Sequence, residues 1–125
     1  MGRARIEGGI GRAKRSVIMQ GHPDARGGRF CHALVAAYKS GAEEAGHQVR
    51  SIDVAGMDFP VLRIKEEWES GWPTDAIHNE QASIGWAEHL VSVYPSWLGT
   101  LPALLKAFFE PTFRPGFALV RSVRG

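Results

Sequence analysis

The sequence lacks the features that point to a disulfide scaffold, a membrane protein or a metalloprotein. It contains one cysteine, Cys31, which excludes an internal disulfide and fits a reducing, cytoplasmic compartment. No apolar run approaches eighteen residues, so we expect no membrane span. The histidines at positions 32, 47, 78 and 89 share no metal-ligand spacing, and we expect them at the surface or at helix ends.

Charge is divided unevenly between the first residues and the rest of the chain. Residues 1–15 hold five basic groups and one acidic group, a net of +4, whereas residues 16–125 carry a net of −2. The first stretch is rich in glycine and arginine and has no apolar face, so we expect a disordered basic leader. The mildly acidic remainder, which we take as one domain, argues against a nucleic-acid surface spread over the fold.

Apolar periodicity predicts that strands alternate with helices along this domain. Short apolar runs at 16–20, 47–54 and 90–95 are typical of buried strands. Between and after them, helical patterns cover residues 30–46, 75–89 and 101–110. This alternation implies right-handed crossovers and a parallel sheet.

The first predicted helix has an apolar side, and its end is marked by a glycine. Phe30, Leu34, Ala37 and Tyr38 fall near one face of the helix. Gly46 then stands where a C-cap glycine belongs. Cys31 is predicted to be a small core residue of the same helix.

The last predicted helix has the clearest stripe and an unusual proline. Its apolar residues follow the spacing i, i+3, i+4, i+7 and i+8, at Leu101, Leu104, Leu105, Phe108 and Phe109. Thr100 is expected to cap the helix and Pro102 to occupy its first turn. Pro111 is expected to interrupt the helix, and Lys106 and Arg114 are expected to be solvated.

Two loops with unusual composition follow the first and third strands, "GHPDARGG" and "YPSWLGT". In a strand order 2-1-3 these strands are neighbours, so both loops lie at the switch point where parallel sheets bind ligands. The first loop offers a helix N-terminus with His22, Arg26 and Arg29 as further donors, which suits phosphate. The second offers the flat ring of Trp97 and backbone N–H groups. Together they suit a planar heterocycle with a phosphate tail.

These segments resemble a known family in chain order. "VIMQGHPD", "RFCHALVAAYKSGAEEAGHQVRSIDVAGMDFPVL" and "HNEQASIGWAEHLVSVYPSWLGTLPALLKAFFEPTFRPGFA" are similar to flavodoxin-like NAD(P)H:quinone oxidoreductases. The resemblance covers about residues 16 to 119. It implies an α/β, flavodoxin-like, three-layer αβα fold with a parallel sheet in the order 2-1-3.

The resemblance also implies a function. Members of this family are dimeric flavin enzymes that take hydride from NAD(P)H and reduce quinones or similar acceptors by a ping-pong route. The resemblance places no catalytic residue in this sequence. It does not decide between FMN and FAD as cofactor, or between NADH and NADPH as hydride donor. The implied flavin contacts lie in the two loops and the start of the first helix: His22, Arg29, Phe30, Cys31, Pro95, Ser96, Trp97, Leu98 and Gly99.

The sequence departs from the family pattern at both ends of this site. The family has a Ser-Phe pair shortly after His-Pro, where this chain has Arg29 and Phe30 in a longer loop. An arginine can hold phosphate as a charged donor. The family also continues with a fourth and a fifth strand, so the domain at 16–125 is expected to be C-terminally incomplete. The third strand would then be an exposed edge, with marginal stability or self-association as the result.

Three functions are compatible with these observations. The first is a flavin-dependent NAD(P)H oxidoreductase. The second is a catalytically incompetent truncated homologue that binds a nucleotide weakly or dimerises. The third, a one-electron carrier of the flavodoxin type, is least favoured because the chain lacks an acidic surface.

Overall fold

The computed structural model describes residues 13–118, which form three strands, four α-helices and one 3-10 turn. The strands are β1 (Arg15–Gln20), β2 (Gln48–Asp53) and β3 (His89–Val93). The helices are α1 (Phe30–Glu44), α2 (Lys65–Ser70), α3 (Asp75–Trp86) and α4 (Ala103–Thr112), with the 3-10 turn at Val54–Gly56. Most of the expected leader lies outside the described residues, but Arg15 already belongs to β1. No helix within 13–118 is both long and apolar enough to cross a membrane.

The sheet is parallel throughout, with the order β2-β1-β3. The central strand β1 is the most buried, and Val17, Ile18 and Met19 are at most 1% exposed. This burial follows from the unbroken apolar run, since a central parallel strand is covered on both faces. The predicted fold class and strand order are confirmed.

Alternate residues of β1 face different helices, which gives the three layers. On one face, Tyr38 of α1 donates a hydrogen bond to Ser16 at 3.3 Å. On the other face, Val17 and Met19 belong to a core cluster with side chains of α3 and α4. Its fully buried members are Val17, Met19, Ile52, Val54, Ile77, Leu105 and Phe108.

The face of α1 that packs on the sheet includes Tyr38, as predicted, but not Phe30 or Leu34. Phe30 is 76% exposed and Leu34 is 42% exposed, whereas Cys31 is buried. The predicted core position of Cys31 is therefore correct and the apolar stripe through Phe30 and Leu34 is wrong as a packing face. Both stripes are apolar, and the sheet covers only one of them.

The region between β2 and β3 also departs from the prediction. The crossover expected to be irregular contains the short helix α2, where the Glu67 carboxylate accepts from the N–H of Arg63 at 2.8 Å. Helix α3 begins after Thr74, whose hydroxyl accepts from the N–H of Ile77. It ends at Trp86, earlier than predicted, because the N–H of Glu88 donates to Arg15 at 2.7 Å and draws the chain into the sheet.

Helix α4 begins later and tolerates its proline better than predicted. Pro102 is the N-cap residue, and Thr100 instead exchanges backbone hydrogen bonds with Trp97. Pro111 lies inside the helix, in the last turn. The missing N–H removes one hydrogen bond near the end of the helix, but the N–H of Phe113 still donates to the carbonyl of Phe109 at 2.8 Å, so the helix continues to Thr112.

Arg114 is buried, which corrects the prediction that it is solvated. Its Nε donates to the carbonyl of Pro111 at 2.8 Å, and Nη1 donates to the carbonyls of Glu67 at 3.1 Å and Gly71 at 2.8 Å. Carbonyls at helix ends lack intrahelical donors, so a cation satisfies them and opposes the helix dipole. Arg114 thereby fastens the end of α4 to α2. Lys106, by contrast, is exposed as predicted.

We expect Arg114→Met to lower the free energy of unfolding by about 2–4 kcal/mol, because three carbonyls lose a charged donor. The matched control is Lys106→Met, which removes an exposed cation on α4 and should change stability by less than about 0.5 kcal/mol. Urea denaturation followed by circular dichroism measures both. Equal losses in the two variants would contradict the role assigned to Arg114.

Candidate functional site

The loops after β1 and β3 meet because a glycine, Gly21, directly follows β1. The last paired residues of the two strands are Gln20 and Val93, and the N–H of Gly21 donates to the carbonyl of Val93 at 2.8 Å. A Cβ at Gly21 would lie 2.8 Å from Leu105 Cδ2 and 3.1 Å from Tyr94 Cβ. A larger residue would require Leu105 or the end of β3 to shift, so glycine favours this close approach, which brings the two loops together at the carboxyl end of the sheet.

His22 connects the first loop to the second. Its Nδ1 accepts a hydrogen bond from the N–H of Asp24 at 3.0 Å, and its own N–H donates to the Gln20 side chain. These two bonds fix the turn and orient the imidazole ring. The ring lies edge-on to Trp97 at 5.9 Å between centroids and 5.6 Å from His32.

The loop after β3 is a tight turn with an unusual leucine. Trp97 and Thr100 exchange backbone hydrogen bonds at 2.8 and 3.1 Å. The two residues between them have positive φ, 53° at Leu98 and 77° at Gly99, as in the type I′ turns of β-hairpins. Asparagine or glycine normally occupies the first of these positions, since a leucine side chain is strained there. Leu98 is nevertheless fully exposed.

The loop before α1 contains an arginine–aspartate cluster. The Asp24 carboxylate accepts hydrogen bonds from Nε and Nη2 of both Arg26 and Arg29, the shortest at 2.8 Å from each. The hydrogen bond from Arg26, and then that from Arg29, hold the pKa of the Asp24 carboxyl far below its usual range. Positive φ at Gly27 and Gly28 lets the chain double back between the two arginines.

The start of α1 has backbone donors and no side-chain cap. Arg29, the N-cap residue, makes no cap hydrogen bond with its side chain. His32 Nδ1 accepts from the N–H of Arg29 at 3.4 Å, and the first helical bond runs from Ala33 to the Arg29 carbonyl. The first amides of α1 therefore have the free N–H groups that a helix N-terminus presents to an anion.

A groove of about 590 Å³ separates the Trp97 turn from the start of α4. Its lining is mostly apolar, with one cation, Lys106, on the helix. Trp97 is 48% exposed, so part of its ring surface is open to solvent beside this groove.

Of the residues predicted for the site, the structure brings His22 and Trp97 into contact and puts Leu98 and Gly99 in the adjoining turn. Pro95 and Ser96 join β3 to that turn. Arg29, Phe30 and Cys31 lie at the start of α1, where Cys31 is buried. Within 13–118, no group of histidine, cysteine and acidic residues could hold a metal ion.

Three contributors to this geometry were missed by the sequence interpretation: Gly21, Asp24 and His32. The sequence does contain a pattern that could have indicated Asp24, which lies two and five residues before arginines in a glycine-containing loop. Gly21 could also have been identified, because it directly follows a predicted strand. Nothing in the sequence alone indicates that His32 turns back to its own helix start.

Comparison with known proteins agrees with the fold. A family model described as flavodoxin-like fold matches residues 14–124. Among solved structures, the chain is similar to NAD(P)H:quinone oxidoreductase from Methanothermobacter marburgensis, with 28% identity and a TM-score of 0.68. That match covers 82% of this chain and 54% of the other. No protein of curated function matches.

Two further solved structures share the fold at lower identity. One is an azoreductase from Bacillus anthracis, 16% identical with a TM-score of 0.58 over 83% of this chain and 57% of that one. The other is an NADH:FMN oxidoreductase, 21% identical with a TM-score of 0.56 over 79% and 50%. The chain thus spans about half the length of the structures it matches.

The strain at Leu98 predicts a stabilising substitution. Because asparagine adopts positive φ more readily than leucine, Leu98→Asn should raise the free energy of unfolding by about 1 kcal/mol. Leu98→Ala is the control, since it removes the exposed side chain and keeps the strain. Thermal unfolding should show a higher Tm for the first variant only. The same rise in Tm in both variants would mean that the gain comes from removing an exposed apolar side chain and not from relieving strain.

Proposed function

Because the chain belongs to the flavodoxin-like fold family, we propose that it forms part of a flavin-dependent NAD(P)H oxidoreductase that reduces quinones or similar acceptors. The observation that carries the proposal is the contact between His22 and Trp97 at the carboxyl end of the sheet. It joins the two loops into one site, at the position where open parallel sheets bind ligands.

The chemistry of the site fits the ring end of a flavin. Trp97 offers a partly exposed aromatic face, and the Leu98–Gly99 turn holds backbone groups in a strained, defined conformation. Strain of this kind persists where a site needs a fixed geometry. His22 lies against the Trp97 ring and forms the wall of the site on the side of the first loop. Bound flavin would supply the hydride chemistry, while the protein supplies position and electrostatics.

A different set of donors would bind the phosphate end of a flavin. Arg26 and Arg29 already hold an anion, the carboxylate of Asp24. The free N–H groups of the α1 N-terminus lie in the same loop. A phosphate bound here would compete with Asp24 for the two guanidinium groups. We propose Arg29 as the replacement for the serine that the resemblance leads one to expect. The site is compatible with either FMN or FAD as cofactor, and with either NADH or NADPH as hydride donor.

Further features of the proposal come from the resemblance. We propose a quinone or similar small molecule as acceptor, a homodimer as the assembly and the cytoplasm as the location. The free cysteine, Cys31, is compatible with a reducing compartment. A second candidate is a nucleotide-binding or dimerising fragment without turnover. Within residues 13–118 the walls of the site come mainly from the loops after β1 and β3, which favours this candidate.

Flavin titration tests the proposed site. The parent chain should bind FMN or FAD, become yellow and bleach on anaerobic addition of NAD(P)H. Trp97→Ala should weaken flavin binding by a factor of about 5 to 150, since stacking on an aromatic ring contributes about 1–3 kcal/mol. The control Trp72→Ala removes a tryptophan that is 92% exposed on the crossover and should leave the affinity unchanged. Quenching of flavin fluorescence measures both.

Each outcome of that titration has a meaning. A parent chain that stays colourless with both flavins would contradict the proposed function. Binding without bleaching would favour the fragment that lacks turnover. Equal weakening of flavin binding in both tryptophan variants would indicate that the flavin does not bind at the Trp97 turn.

The arginine–aspartate cluster yields a separate prediction. Asp24→Asn should tighten binding of inorganic pyrophosphate at least threefold, because two guanidinium groups lose their competing anion. The gain should shrink as salt is added. Glu44→Gln removes the same charge at the opposite end of α1 and serves as the control. Isothermal titration calorimetry gives the affinities, and unchanged or weaker binding in Asp24→Asn would exclude a phosphate role for these arginines.

A further inference from the structure

Arg114 is a buried cation without a counter-charge in the described part of the chain. Only 7% of its surface is exposed, and its three hydrogen-bond acceptors are neutral backbone carbonyls. No acidic side chain within 13–118 forms an ion pair with it. A buried charge is normally paired with one of opposite sign. The surroundings of Arg114 therefore favour the binding of an anion.

One nitrogen of the guanidinium group is available to such an anion. Nε and Nη1 donate the three hydrogen bonds, whereas Nη2 has no acceptor among the described residues. Nη2 is not sealed inside the protein either, because Ser92 Oγ is the one fully buried side-chain polar atom without a partner in this part of the chain. Nη2 therefore reaches open space, while the other two nitrogens hold the group in place.

The open space beside Arg114 is a cavity of about 160 Å³ between the crossover, the start of α3 and the end of α4. Its wall is mostly apolar and includes Val61, Trp72, Ile77 and three prolines. A cavity of about 150 Å³ is large enough for benzene, so this one can hold a single aromatic ring. Because proline fixes φ and Arg114 fastens α4 to α2, the wall is preformed.

The polar groups at the cavity favour an anion over a neutral ligand or a cation. Besides Arg114, Thr74 lines the cavity at the start of α3, where the helix dipole is positive. The acidic residue at the wall, Glu67, uses its carboxylate to accept from N–H groups at the start of α2. Asp75, in the first turn of α3, does not line the cavity.

We propose that this cavity binds a small monocarboxylate with an apolar ring or branched chain, and that its carboxylate accepts a hydrogen bond from Nη2 of Arg114. The apolar wall surrounds the ring, and the guanidinium group supplies the opposite charge. This site is separate from the proposed flavin site. It lies at the carboxyl end of α4, whereas the groove beside Trp97 lies at the amino end, and the ten-residue helix between them is about 15 Å long.

Titration of the 125-residue chain with benzoate, followed by NMR, tests the proposal. Benzoate should shift the Nε–H signal of Arg114 saturably, with a Kd on the order of 1 mM, and should leave the indole N–H signal of Trp97 in place. Acetate has the charge without the ring, and benzyl alcohol has the ring without the charge. Each should therefore bind more weakly than benzoate by about tenfold or more.

Two surface variants locate the bound benzoate without removing Arg114, which is also needed for stability. Val61→Asp puts a like charge at the cavity wall and should weaken benzoate binding by about fivefold or more. Ile64→Asp puts the same charge on a side chain that does not line the cavity, and at about 0.15 M salt it should change the affinity by less than about twofold. Val61 and Ile64 are 58% and 57% exposed, so both variants should keep the parent circular dichroism spectrum.

The proposal is overturned by any of three results. The first is the absence of a saturable shift of the Arg114 signal up to about 10 mM benzoate, a concentration that would nearly fill a site with a Kd of about 1 mM. The second is binding of acetate or benzyl alcohol as tight as that of benzoate, since the site would then not recognise a carboxylate and a ring together. The third is equal weakening of benzoate binding in Val61→Asp and Ile64→Asp, which would show that benzoate binds outside this cavity.

Discussion

The candidate site depends on one close approach, that of Gly21 to the end of β3. The hydrogen bond from Gly21 to Val93 continues the pairing of β1 and β3 one residue past the last strand pair. The absent side chain leaves room for Leu105 of α4. The two loops therefore leave the sheet side by side, and the contact between His22 and Trp97 follows from this geometry. A larger residue would have to separate the strand ends or shift the Leu105 side chain.

The two ends of α4 have different roles in this arrangement. Its carboxyl end is held by buried and partly buried hydrogen bonds. Gln81 of α3 donates to the carbonyl of Thr112, Trp68 of α2 donates to that of Phe113, and Arg114 donates to that of Gly71 after α2. Its amino end follows a strained and exposed turn at Leu98. A rigid attachment at one end allows the other to carry a turn that costs stability, which is the usual division between scaffold and site.

Much of this could be predicted from the sequence, because it depends on local patterns. The apolar run of β1 and the stripe of α4 fix the elements, and parallel topology then brings the two loops together. The packing face of α1 could not be predicted, since Phe30 and Cys31 begin two apolar stripes and only the sheet selects one. The burial of Arg114 could not be predicted either, because two of its three carbonyl partners lie more than 40 residues away in sequence. The Asp24 cluster is local, but its competition with a ligand depends on side-chain geometry.

The most direct test of this account is amide hydrogen exchange at Gly21, measured by NMR. If the glycine holds the two loops together, its amide should exchange as slowly as the amides of β1, because its N–H is bonded to Val93 in the same way. The amides of Gly27 and Gly28 in the loop before α1 provide the fast reference. Exchange at Gly21 as fast as at these two glycines would show that the strand ends are apart, and it would contradict the assembly of the site.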